Sequence, residues 1–308
     1  MPSSSSLGFV GNGAPTRRIG TEPAPPVPLS SLETAAQIDV PQQLLVRWNF
    51  AMFLFHTTIA IITLTVGKLD LKVQLYKTAV VFQRRNGTGW DLIPEYVPQG
   101  SLYFTVLTAT FFLLSALFHL LNVTVLRRFY FRELERCRTP TRWIEYTLSA
   151  PVMIVLIAYG LGIRERSLIF AIAALIAVTM PFGYWVELES RPSSATRWSR
   201  PLSRRLLPWL IGHLPQMAAW FIIILQFYDG NIEGTETAPW WVYFILWVEL
   251  ALFFSFGAAS VVSQWSEPQY FYRGELVFQV LSLVSKGLLG FVLLANVLML
   301  SRFEDIYE

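Results

Sequence analysis

The chain has 308 residues, of which 54% are hydrophobic and only 15% charged, against about 25% charged in soluble domains. That ratio excludes an ordinary water-soluble globule, and a net charge of +3 is too small for a nucleic-acid footprint. Cys137 is the only cysteine, which excludes an intrachain disulfide and a cysteine-based metal cluster.

Residues 1–40 are rich in Ser, Pro and Gly, hold few large apolar residues and lack the apolar core of a cleavable signal peptide, so a disordered tail is expected. Seven apolar stretches follow, near 44–66, 101–126, 142–163, 167–187, 206–228, 239–263 and 274–300. Each is close to the roughly 20 residues a helix needs to cross a bilayer. The predicted fold is an all-α membrane protein, a seven-transmembrane-helix bundle over 41–301 with short tails at 1–40 and 302–308. Between helices one and two, Lys68 to Leu75 alternates as a half-buried strand does, and a second apolar run from Ala79 to Phe82 precedes the tight-turn pair Asn86-Gly87. A small β-hairpin within the 68–99 loop is therefore expected to cap the bundle. Asn86-Gly87-Thr88 is also a glycosylation sequon, whereas Asn122-Val123-Thr124 matches the pattern at a helix end by chance.

The basic residues divide unequally between the two ends of the bundle. On the side of the N-terminus stand Arg17, Arg18, Arg47, Arg127, Arg128, Arg132, Arg136, Arg138, Arg142, Arg191, Arg197, Arg200, Arg204, Arg205 and Arg273, fifteen in all. Opposite are eight: Lys68, Lys72, Lys77, Arg84, Arg85, Arg164, Arg166 and Arg302. Positive-inside logic places the N-terminus in the cytoplasm and the hairpin and C-terminus outside. Lys286, in the middle of helix seven, is the basic residue left over.

A lysine at such depth costs about 2.5–3.5 kcal/mol on insertion scales, which calls for a partner or a function. A plain buried ion pair is one explanation; a lysine that forms a Schiff base with an aldehyde is the other. A protonated Schiff base needs an anion nearby, and no aspartate falls well inside a helix. The candidates are Glu145 in helix three, Glu187 at the end of helix four and Glu249 in helix six. Glu145 shares a helical face with Ser149, and Lys286 with Ser282. Asn49 and His56 in helix one, and Ser115 and His119 in helix two, are likewise spaced to share a face, suggesting one internal polar network with Glu145.

Two longer motifs carry a resemblance. Arg142-Trp143-Ile144-Glu145-Tyr146-Thr147-Leu148-Ser149 with Val152-Met153-Ile154, and Leu281-Ser282-Leu283-Val284-Ser285-Lys286, resemble the third- and seventh-helix signatures of heliorhodopsins. Asn49, His56, Ser115-x-x-x-His119-Leu120-Leu121 and Phe182-Gly183 followed by Glu187 agree, and the similarity covers about 44–300. The resemblance implies all-trans retinal on Lys286, with Glu145 as counter-ion and Ser149, Ser282 and Tyr146 beside it. It also implies Asn49, His56, Ser115 and His119 in the adjoining polar cavity, and Gly183, Trp220, Phe253 and Phe254 around the polyene. Pro151, Phe254, Thr179-Met180-Pro181 and Glu249 depart from the family pattern.

The expected function is a light-sensing photoreceptor, not an enzyme, that signals to an unidentified partner. A light-gated proton or cation conductor is the alternative, with Glu187 and Glu249 on the path. Membrane lipids surround the bundle in either case, and the resemblance implies a homodimer.

Overall fold

A computed structural model describes residues 36–84, 87, 89–233 and 237–300. Most of the expected N-terminal tail, the 302–308 tail, and Asn86 and Thr88 of the sequon lie outside the described residues.

Helix α1 (Gln42–Val66) is the first span, followed by the antiparallel strands β1 (Lys72–Arg84) and β2 (Trp90–Tyr103) and by α2 (Phe104–Val123). The short helix α3 (Arg127–Leu134) precedes α4 (Pro140–Gly160), α5 (Arg166–Glu189), α6 (Leu202–Glu233) and α7 (Trp240–Trp265). A 3-10 turn (Pro268–Tyr270) opens α8 (Phe271–Leu293), which ends in a π turn over Leu294–Leu298. All but α3 are long and apolar enough to cross a membrane, which gives seven spans. Consecutive spans pack side by side and α8 returns against α1, so the bundle closes into a ring.

Burial runs opposite to that of a soluble protein. Phe170, Phe221, Val262 and Phe291 are 62–75% exposed, while Asn49, His56, Ser115 and Glu249 are fully buried. Lipid-facing apolar side chains around an interior that collects the polar ones are the expected solution where no water satisfies an exposed polar group.

The hairpin agrees with the expected alternation only at its base. Leu71, Val73 and Leu75 are buried, Tyr159 Oη donates to the Gln74 carbonyl at 3.1 Å, and Tyr76 N donates to the Arg164 carbonyl at 3.0 Å. A bulge between Gln74 and Tyr76 then changes the register. Beyond it both strands run out with Val80, Phe82, Trp90, Leu92 and Tyr96 exposed. The strands are longer than the two short runs the sequence suggests, because cross-strand pairing extends through Pro94 and Pro98.

The second span stops at Val123, three residues earlier than expected, and the arginine-rich connection folds into α3. Tyr130, Phe131 and Leu134 turn inward against Leu45, Cys137 and Phe271, while Arg127, Arg128 and Arg132 face out. Ile38 and Val40, at the end of the expected disordered tail, join this apolar cluster, and Ile38 N donates to the Glu135 carbonyl at 3.1 Å.

Two arginines counted among the surface charges are buried. Arg205 hydrogen-bonds the Gln264 carbonyl at 2.6 Å, and Arg142 pairs simultaneously with Glu187 of α5 and Glu275 of α8. Both arginines stand in the first turn of their helices, at the bundle end, whereas Lys286 lies in mid-helix. Thr139 N and Oγ1 also donate to Glu187, at 2.6 and 2.8 Å, so this ion triad ties α4, α5 and α8 at the α3 end of the bundle. Removing the shared cation strands two buried carboxylates, a change that costs about 3–5 kcal/mol. Arg142→Gln should accordingly lower the thermal unfolding midpoint of the detergent-solubilised protein sharply, whereas Arg132→Gln, at an exposed position of α3, should leave it nearly unchanged.

Candidate functional site

Lys286 reaches the middle of the bundle from α8 and meets α4 and α2 there. Its Nζ donates to Glu145 Oε1 at 2.5 Å and to Ser115 Oγ at 2.5 Å, and the Ser115 hydroxyl donates to the same carboxylate oxygen at 2.6 Å. All three residues are buried. The Tyr146 ring lies 5.3 Å from the ammonium, a cation–π distance, and Tyr146 Oη donates to the Phe278 carbonyl at 3.2 Å. Of the three candidate glutamates, Glu145 is the one that meets the lysine.

One turn along α2 from Ser115, His119 stacks on His56 with ring centroids 5.6 Å apart and planes 9° from parallel. His119 Nδ1 lies 2.9 Å from Asn49 Oδ1; because that oxygen only accepts, this nitrogen carries the proton. Asn49 Nδ2 donates to the Leu45 carbonyl at 2.9 Å and contacts Tyr130 Oη at 3.3 Å. Tyr130 in turn donates to Glu275 Oε1 at 3.1 Å, and Glu275 leads to Arg142 and Glu187. Burial and the neighbouring Glu275 carboxylate hold the Tyr130 phenol well above its ordinary range, so it remains a donor. The predicted polar residues thus lie in one belt from the lysine to α3, hydrogen-bonded from His119 onward but, among the described residues, not between Ser115 and His119.

Glu275 is absent from the sequence-level candidates, although it is buried and central to that belt. Its signal is helical spacing: Glu275, Gln279, Ser282 and Lys286 follow one another at intervals of four, three and four, on one face of α8. Arg142, Glu145 and Ser149 repeat the pattern on α4.

On another side of Lys286 opens a cavity lined from α4, α5, α6, α7 and α8. Ser149, Ser282, Tyr146, Gly183 and Phe253 of the predicted set contribute to its wall, as does Lys286. Asn49, His56, Ser115, His119 and Glu145 do not, and belong to the polar belt. Trp220 packs edge-on against Phe253, with centroids 5.3 Å apart, and Phe254 lies 6.3 Å from the His213 ring; neither is part of the wall. At Gly183 a Cβ would come within 2.1 Å of the Trp143 indole, so only glycine lets Trp143 form the wall there. Trp143, Met153, Met180 and Phe182, which the sequence marks only through family motifs, and Trp209, His213, Gln216 and Phe256, which no motif marks, complete much of the lining. Aromatic residues at helical spacing look alike in sequence whether they face a cavity, a neighbouring helix or lipid.

The remaining candidates separate. Glu187 is held in the ion triad, whereas Glu249 Oε2 accepts from Ser285 Oγ at 2.7 Å and its Oε1 has no hydrogen-bond partner among the described residues.

Comparison with known proteins follows from this geometry. No curated protein matches the chain. Among solved structures, a thermophilic rhodopsin superposes with a TM-score of 0.58 at 10% identity, covering 84% of this chain and 94% of its own. A light-driven proton pump from Leptosphaeria maculans gives 0.54 at 11% identity, covering 84% and 97%. The proton-pumping rhodopsin of the marine alga Acetabularia acetabulum gives 0.55 at 11%, covering 84% and 96%. At such identities these likenesses establish the rhodopsin fold. The heliorhodopsin family model matches residues 45–298, nearly the whole bundle. The chain belongs to the heliorhodopsin family and is a multi-pass membrane protein of the retinal-binding photoreceptor type.

Proposed function

We propose that Lys286 is the attachment point of all-trans retinal, that Glu145 is its counter-ion, and that the protein is a light sensor whose polar belt carries the signal. The observation that carries this reading is the 2.5 Å pairing of Lys286 with Glu145 at the edge of a large, mostly apolar cavity. The residues present suit such a ligand. The cavity is mostly apolar and is lined by residues from α8 to α6, a spread that favours an extended polyene. Ser149 Oγ, buried in its wall, has no hydrogen-bond partner among the described residues and is free to meet a ligand.

Retinal, when bound, supplies visible absorption and a light-driven isomerisation. The protein's own groups do the rest. Glu145 stabilises positive charge at the lysine nitrogen, and Ser115, bonded to both, fixes the carboxylate's position. A displaced nitrogen loses those two bonds, and Glu145 and Ser115 must then find new partners. His119 is the nearest belt residue on the same face of α2 as Ser115, and from it the path continues through Asn49, Tyr130 and Glu275 to the ion triad. In the orientation favoured by the basic residues, that end of the belt is cytoplasmic and would face a signalling partner. The exposed apolar stripe of the hairpin, then extracellular, supports a homodimer in which a second copy covers it.

Lys286→Ala should abolish the visible band formed with all-trans retinal; a retained band would overturn the assignment. Glu145→Gln should move the band to longer wavelength, because removing the anion withdraws stabilisation from charge localised at the nitrogen, the ground-state distribution; an unmoved band would point to another carboxylate.

A light-gated proton or cation conductor is the second reading. It is favoured by Glu249, a buried carboxyl with one unbonded oxygen, which reaches the cavity wall through Ser285. Whole-cell recording under flash illumination separates the two. A sensor gives no steady photocurrent, whereas a conductor gives currents that reverse with voltage and that Glu249→Gln reduces.

A further inference from the structure

The cavity has a polar end. Helix α6 packs against α5 and α7, across the bundle from the contacts that Lys286 makes with α4 and α2. From α6, Gln216 and His213 both line the cavity, three residues apart on one helical face. Gln216 is 5% exposed, and its Nε2 has no hydrogen-bond partner among the described residues. His213 Nδ1 lies 2.8 Å from the Trp209 carbonyl, which can only accept, so the proton of the neutral ring is on Nδ1 and Nε2 is left as an acceptor. That nitrogen abuts Gly257, another residue of the cavity wall, where a Cβ would stand 2.3 Å from it, so only glycine leaves room for the ring. The Trp209 indole, which donates to the Gly257 carbonyl at 2.9 Å, holds the glycine backbone in place.

The cavity wall thus carries an unpartnered donor on Gln216 and an acceptor on His213, one turn of α6 apart, in surroundings where an unmatched polar group is costly. The hydrocarbon ring of retinal satisfies neither group. A hydroxyl on that ring satisfies both, accepting from Gln216 Nε2 and donating to His213 Nε2. We propose that this end of the cavity recognises an oxygen substituent on the ring, so that the preferred chromophore is a ring-hydroxylated retinal. The inference rests on the reading of Lys286 as the attachment point, which is chemically the same for either retinoid.

The test is a competition. Full-length protein made in cells without retinoids is incubated with equimolar all-trans retinal and all-trans 3-hydroxyretinal, and the bound retinoids are extracted and quantified. The expected result is about five- to ten-fold enrichment of the hydroxylated form, the range that one or two neutral hydrogen bonds provide. Gln216→Leu should bring the ratio close to one, and His213→Phe, which also removes the acceptor, gives a second reading should the first variant fail to fold. Equal binding by the wild type, as a water bridging the two groups would produce, overturns the proposal, as does enrichment that survives both substitutions. If neither retinoid forms a visible pigment, the attachment reading itself fails, an outcome distinct from pigment formation without preference.

Discussion

A charged amine held against a carboxylate in the interior of a membrane bundle sets the terms for everything around it. In a medium that solvates neither ion, Lys286 and Glu145 persist because each is the other's partner and Ser115 bonds to both. That arrangement requires three helices to meet at one depth. Span seven supplies the cation, span three the anion and span two the hydroxyl. The ring of spans then places the cavity against the same lysine, so that one residue belongs to both the ionic cluster and the ligand space.

The polar belt extends this logic along the bundle. From His119 each member contacts the next: His119 meets Asn49, Asn49 meets Tyr130, Tyr130 meets Glu275, and Glu275 meets an arginine shared with Glu187. Such networks resist piecemeal change, because a group that loses its neighbour in a low-dielectric interior has no water to turn to. From His119 the chain of contacts reaches the end of the molecule where exposed arginines and an amphipathic helix lie outside the spans, and Ser115, bonded to Lys286 and Glu145, stands one turn of α2 away.

The division between belt and cavity bears on how the chain combines photochemistry with stability. Both regions hold buried polar atoms without a hydrogen-bond partner among the described residues: the two ring nitrogens of His56 and Nε2 of His119 in the belt, and atoms of Ser149 and Gln216 in the cavity wall. Glycines at 183 and 257 keep space where a side chain would collide with Trp143 or His213.

Several features were legible in the amino-acid sequence alone, because they depend on local rules. Seven apolar stretches of spanning length, a hairpin between the first two, the deeply placed Lys286 and the serine and histidine spacings on helices one and two follow from periodicity and transfer energetics. The family motifs around Glu145 and Lys286 added the likeness that the family match bears out. What the sequence left open was decided by tertiary packing. Arg142 and Arg205 look like ordinary loop charges until helix ends fold over them, and Ile38 looks like part of a tail until α3 gives it an apolar surface. Glu275 sits on the same face of α8 as the lysine, but its role depends on an arginine 133 residues away in the chain. Likewise, which aromatics line the cavity depends on helix rotation and depth, which only the assembled bundle settles. The sequence thus determined which residues must be buried, and the three-dimensional arrangement decided which buried groups meet, because pairing in a bilayer depends on distances between helices that no single helix encodes.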